Sequence, residues 1–268
     1  MKKKRLIAVL LLKDGALVQA HNFKFYQNLG NPEQAVKRLS EWGSDELIYL
    51  DISEKKKSLL GREDLRYKSS SNILQIIKKF SKLSFMPTTI GGKIKSLKDV
   101  EKRLLIGGDK VSINSAAILN PNLITQVAKE FGSQCLVVSV DVKKINSQYK
   151  IFYNNGKTLS NYSLKSWLKI VQDNGAGELM INSIDRDGSQ KGYDIHLLKM
   201  VTRQCKIPVI ACGGVGKFSH FYEGFKKTKI EAAAAANIFQ YSDQSVFLAK
   251  KFLYEKKINI RKPNLLNI

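Results

Sequence analysis

The sequence predicts an α/β fold, a single (β/α)8 barrel, on three observations. Eight short apolar runs recur, each followed by a turn and then a helical pattern, the signature of βα units around a parallel sheet. The length of 268 residues suits one such barrel, which commonly runs to about 250 residues as a unit. Segments of the first half also reappear in the second, an internal repeat that must be sought before any fold is assigned.

The runs lie near 5–12, 47–52, 87–91, 110–114, 136–141, 179–183, 208–212 and 232–236. The N-terminus MKKKRLIAVLLL, which holds the first run, resembles the basic and apolar parts of a signal peptide, but the run ends in Lys13-Asp14-Gly15 with no small-residue cleavage site, so a strand is expected. Between the runs, 31–43 opens with Asn31-Pro32-Glu33, a cap with proline at the first helical position, and Asn120-Pro121 does the same before 121–131. In the repeat, Gly43-Ser44-Asp45-Glu46-Leu47-Ile48 matches Gly175-Ala176-Gly177-Glu178-Leu179-Met180, and Pro87 to Gly92 matches Pro208 to Gly214 with the pair Gly91-Gly92 set against Gly213-Gly214. The two matches are unequally spaced, which places an insertion in the polar stretch from Ser53 to Asn72. The expectation is one domain over 1–268 made of half-barrels near 1–125 and 126–268.

Hydrophobic residues make up 43% of the chain, enough for a core, while 45 Lys+Arg against 23 Asp+Glu give a formal charge of +22. The lysines are scattered, without the interleaved aromatics of a single-strand groove, and read as solvated helix faces; no nucleic acid is expected. The cationic field still suits a phosphorylated or nucleotide-linked sugar. No run approaches the ~20 apolar residues of a membrane span, so no membrane insertion is expected. Cys135, Cys205 and Cys212 lack CxxC spacing and sit in apolar segments, as reduced thiols of a cytoplasmic protein would. No metal site and no cofactor are expected.

In a barrel of this kind the site lies where strands end. Small residues there, at Gly91-Gly92, Asn114-Ser115, Gly188, Gly213-Gly214 and Ala236-Asn237, let backbone N–H groups approach an anion, and their recurrence in both halves implies two phosphate sites. Carboxylates at strand ends are Asp51, Asp141, Asp185 and Asp187; each is a general acid or base in one reading and a loop cap or lysine partner in the other.

Arg5-Leu6-Ile7, Lys13-Asp14-Gly15, Asp45-Glu46-Leu47, Asp109 to Asn114, Phe131-Gly132-Ser133-Gln134, Ser183 to Gly188 and Gly192-Tyr193-Asp194 together resemble the cyclase subunit of imidazole glycerol phosphate synthase. The resemblance implies a class I glutaminase partner in a heterodimer, with ammonia entering at the strand N-terminal face and crossing the barrel. Its charged gate falls on Arg5, Glu46, Lys110 and Glu178, and its glutaminase-facing surface on Asp109 and Gln134. For a barrel without that resemblance, the same four charges would read as a stability network at the closed end.

Against the family pattern, the catalytic aspartate of the first strand is Leu11, leaving Asp141, with Asp187, as the catalytic candidates. A loop lysine has become Gln19, the third glycine of the first phosphate site has become Lys93, and the loop between the fifth and sixth strands carries Asn155-Gly156 in place of Ser-Gly. A gate kept without the strand-one aspartate, together with Phe85-Met86-Pro87 and Ile210-Ala211-Cys212-Gly213-Gly214, resembles a paralogous branch that works with a third, amidotransferase-like protein to install acetamidino groups on sugars for lipopolysaccharide and other surface polysaccharides. The expected function is therefore an ammonia-channelling subunit of an amidotransferase complex with its own cyclase (lyase) activity in doubt. The alternatives are an authentic cyclase of histidine biosynthesis and a non-catalytic scaffold or binding subunit.

Overall fold

The computed structural model describes residues 2–53, 75, 78 and 86–265, so the expected insertion, apart from Ser53, lies outside the described residues. Its strands are β1 (Arg5–Lys13), β2 (Ala16–His21), β3 (Phe25–Gly30), β4 (Glu46–Asp51), β5 (Thr88–Gly91), β6 (Lys110–Ile113), β7 (Leu136–Ile145), β8 (Gln148–Tyr153), β9 (Thr158–Ser163), β10 (Glu178–Ser183), β11 (Val209–Cys212) and β12 (Ala232–Ala235). Eight of them run parallel in the order β10-β11-β12-β1-β4-β5-β6-β7, and β7 pairs back onto β10 to close the barrel. The remaining strands form two antiparallel hairpin additions, β2–β3 on the end of β1 and β8–β9 on the end of β7.

Each parallel strand is buried on both faces, which is why the runs read as nearly continuous apolar stretches rather than alternating ones. The outward set, including Leu6, Leu10, Leu47, Tyr49, Val138 and Ile181, packs with the helices in one large cluster. The inward set, Ile7, Val9, Ile48, Val137, Met180, Ile210, Ala232 and Ala234, forms a separate smaller cluster inside the barrel. Burial of each larger side chain contributes roughly 1.5–3 kcal/mol.

Among the described residues the α-helices include α1 (Pro32–Glu41), α2 (Leu97–Leu105), α3 (Ser115–Leu119), α4 (Asn122–Phe131), α5 (Leu164–Asp173), α6 (Ile195–Gln204), α7 (Phe218–Lys227) and α8 (Ser245–Glu255). The Asn31 side chain accepts from Glu33 N at 2.8 Å with Pro32 at the start of α1, as the sequence predicts. Pro121 differs from expectation. The chain first makes the short helix α3, whose last turn ends with Asn120 N donating to Ala116 O, so Pro121 falls in the junction, at the N-cap position of α4 and not at its first helical residue. The last helix is locked to the barrel by Lys250, which is 2% exposed and donates to Gly43 O and to Asp45 Oδ1, both at 2.8 Å.

Strand register corrects one detail of the repeat. Leu47 pairs with Thr88 as Leu179 pairs with Val209, so Gly91 corresponds to Cys212, Gly92 to Gly213 and Lys93 to Gly214. The two glycine pairs are thus one residue out of step. A sequence match slides easily along Gly-Gly, whereas the hydrogen-bonded ladder admits a single register.

Candidate active site at the barrel mouth

Alternation along each strand sorts the inward residues into layers. At the strand starts, Arg5, Glu46, Lys110 and Glu178 point inward and form a closed ring of alternating charge. Arg5 bridges Glu46 at 2.6 Å and Glu178 at 2.7 Å, while Lys110 bridges the same two carboxylates at 3.3 and 2.5 Å. Burial works against the charged form of Glu178, but the bonds from Arg5 and Lys110 outweigh it and hold the carboxyl below its ordinary range. Asp109 and Gln134 are exposed at the same end. One oxygen of Asp109 accepts from Thr88 N at 2.7 Å, and Gln134 donates to Phe131 O at 3.3 Å.

At the opposite end the inward positions are, in order around the barrel, Leu11, Leu50, Gly91, Asn114, Asp141, Asn182, Cys212 and Ala236. The mouth is therefore two-sided. Leu11, Leu50, Cys212 and Ala236 continue the inner apolar cluster, and Asn114, Asp141 and Asn182 make a polar arc. Asn114 Nδ2 donates to Asp141 at 3.1 Å, and Asn182, its register neighbour on β10, turns its amide toward the same carboxyl. Burial first, and then the nearby charge of Asp187, raise Asp141 to about 7 against those two hydrogen bonds. A carboxyl titrating near neutrality can both accept and return a proton. Asp187 is raised to about 6 by burial, opposed by the Phe23 N–H and by His21. The Cys212 thiol is pushed up to about 12 by burial and by the two aspartates, so it stays protonated.

The other two carboxylates are engaged locally. Asp51 accepts from Ser53 N at 3.0 Å and pairs with Lys93 Nζ at 3.4 Å, and the exposed Asp185 accepts from Lys144 N at 2.7 Å. Lys93 occupies a left-handed backbone, φ 53°, where its counterpart Gly214 has φ 102°. Its amine is drawn toward β4 rather than left free over Gly91 and Gly92. Ser115 Oγ accepts from Asn154 N at 2.9 Å, which ties this corner to the β8–β9 turn carrying Asn155 and Gly156.

Across the mouth, the β2–β3 hairpin folds over Gly188 and Asn237. Asn237 Nδ2 donates to Ala20 O at 3.1 Å, Asn22 N to Asp187 O at 3.1 Å and Phe23 N to Asp187 Oδ2 at 3.3 Å. The Phe23 ring lies over the β8–β9 turn, so close that a Cβ on Gly156 would sit 2.8 Å from it. Gln19, expected in a loop, instead stands in β2 and donates to Gln27 Oε1 across the hairpin at 2.7 Å. Gly213 and Gly214 follow β11, and Gly214 O accepts from Gly192 N at 2.7 Å.

The structure thus gathers Asp141, Asp187, Asn114 and the second group of small residues at one end, and the four gate residues at the other. Two participants escaped the sequence reading. Asn182 is the last inward residue of the alternation Glu178, Met180, Asn182, a signal present in the sequence. Phe23 reaches the site through the hairpin, which no local pattern announces.

Residues 5–245 match the family described as "Histidine biosynthesis protein". Among curated relatives, the imidazole glycerol phosphate synthase subunit HisF of Natranaerobius thermophilus is 39% identical over 261 residues, covering 97% of this chain and 100% of the relative. The proteins of the same name from Chlorobaculum parvum and Hydrogenobaculum sp. are 40% identical over 261 residues and 38% over 262, again covering 97% of this chain and 100% of each relative.

Proposed function

Since the chain belongs to the histidine biosynthesis protein family, with relatives named as HisF subunits of imidazole glycerol phosphate synthase, we propose that it is the ammonia-receiving barrel subunit of an enzyme of that type. The observation that carries this reading is the barrel's polarity. A ring of four charged side chains closes the strand-start end, and a near-neutral carboxyl, Asp141, stands at the mouth. Between them Ile7, Val9, Val137, Met180 and the small Ala232 and Ala234 line an apolar interior, suited to a small uncharged molecule.

In this reading a class I glutaminase docks at the strand-start face around Arg5, Glu46, Asp109, Lys110, Gln134 and Glu178, and an anionic substrate sits at the mouth. Its two anion sites are the corner of Gly91, Gly92, Lys93, Asn114 and Ser115 with Asn155-Gly156, and the group Gly188, Gly213, Gly214, Ala236 and Asn237. Co-expression with glutaminase subunits from the same locus tests it. A one-to-one complex that hydrolyses glutamine is expected, and failure of every such subunit to bind would overturn it.

The names of the relatives favour ring closure itself, within histidine biosynthesis. Leu11, with the lesser departures at Gln19 and Lys93, favours a second reading, a subunit that keeps ammonia delivery and has lost ring closure. An acetamidino sugar for surface polysaccharides, handled with a third amidotransferase-like protein, is the acceptor proposed in that case.

A further inference from the structure

Asn182 is 8% exposed, and its Oδ1 has no hydrogen-bond partner. A buried acceptor left unpaired costs on the order of 1–3 kcal/mol, so such an atom in an otherwise satisfied site calls for a ligand. Above about 7, where Asp141 is ionised and only accepts, the amide cannot simply be turned over: the NH2 faces Asp141 and the oxygen faces away.

What lies in front of that oxygen is kept open by a glycine. A Cβ on Gly213 would lie 2.9 Å from Asn182 Oδ1, so any side chain there would cover the acceptor. Asn182 stands between its register neighbours Asp141 on β7 and Cys212 on β11, in the layer directly above Met180 of the inner apolar cluster. Its counterpart in the other half-barrel is Leu50, which offers no acceptor. A molecule leaving the barrel interior at this point meets a neutral acceptor and a carboxylate side by side.

We infer that Asn182 Oδ1 and the Asp141 carboxylate form a receiving site for ammonia or ammonium at the inner edge of the mouth. The inference rests on the ammonia-receiving function proposed above and names the side chains that hold the nitrogen once it arrives. Asn182 is a positioning residue here: it accepts an N–H and aims the nitrogen beside Asp141. A ligand of one heavy atom binds weakly, with half-saturation on the order of 0.1 M, which suffices where a channel delivers it locally.

The test is solution NMR of the full chain with 15N-labelled asparagine at pH 8, titrated with ammonium chloride against sodium chloride at equal ionic strength. The Asn182 side-chain signals, identified by their loss in Asn182→Thr and Asn182→Leu, are expected to shift saturably with ammonium and not with sodium. Trimethylammonium, which carries three methyl groups and only one N–H, is expected to have no effect. If Asn182→Leu fails to fold, Asn182→Thr and triple-resonance assignment identify the signals. A flat response, or equal responses to ammonium and sodium, would overturn the inference. The titration uses the barrel alone, so failure to bind a glutaminase would count against the functional reading and leave this result standing.

Discussion

Leu11 and Asp141 occupy the same place in the two halves of the barrel: Leu11 pairs with Leu50 on β4 as Asp141 pairs with Asn182 on β10, both facing inward at the mouth. The register makes the contrast one of chemistry alone, an apolar side chain against a carboxyl at about 7. Only one side of the mouth can therefore exchange a proton through its barrel strand.

Ring closure should be slow in the wild-type chain. Given ammonia and the usual phosphoribosyl substrate, it is expected to form imidazole glycerol phosphate at least ~100-fold more slowly than an ordinary cyclase, the usual effect of removing one general acid or base. Leu11→Asp is expected to restore part of the rate, limited by the changes at Gln19 and Lys93. Wild-type turnover matching an ordinary cyclase would assign the chain to histidine biosynthesis.

Stability should fall as the solution is made alkaline through neutrality. Asp141 and Asp187 are raised from 3.8 to about 7 and about 6, so the folded state prefers them protonated. Their contribution is full below the ordinary carboxyl range and is lost as pH rises through those two values. Asp141→Asn is expected to flatten this slope and, at pH 8, to unfold at higher urea, more stable by on the order of 1–2 kcal/mol. Urea melts across pH 4 to 8 read both effects.

At the strand-start end, Arg5→Ala leaves Glu46 and Glu178 sharing Lys110 alone. A loss of roughly 2 kcal/mol is expected, less than for a fully buried pair because the Arg5 side chain is 22% exposed. Glu178 is held below its ordinary range, so its contribution is present above about 4.5 and is lost as pH falls through the lowered value. Acid unfolding of the variant should therefore be shallower on this limb. Asp109→Lys should weaken glutaminase binding in size-exclusion assays; unchanged binding would move the proposed interface elsewhere.

Replacing Lys93 by glycine should cost little in stability and alter anion binding. The change relieves a left-handed backbone, worth about 1 kcal/mol, and removes a half-exposed pair with Asp51 worth about as much. Inorganic phosphate should raise the melting temperature of Lys93→Gly more than that of wild type, because the loop then matches the Gly213-Gly214 corner. A smaller shift in the variant would show instead that Lys93 itself holds the anion.

Much of this protein was legible in the chain. The eight barrel strands fall on the apolar runs, since parallel strands buried on both faces must be continuously apolar. Alternation along a strand then puts Glu178, Met180 and Asn182 on one face, as the inner layers show. Local chemistry was likewise readable, as the Asn31-Pro32 cap of α1 shows. What the tertiary structure decided concerns distant pairs. Only the ladder could align Lys93 with Gly214, because a glycine pair in sequence has no unique register. Only packing could bring Phe23 and Asn22 across the mouth to Asp187, and turn the Lys93 amine toward Asp51. The unpaired oxygen of Asn182 belongs to the same class: a sequence shows which side chains carry acceptors, but whether a donor reaches them depends on the strands that closure of the barrel sets beside them.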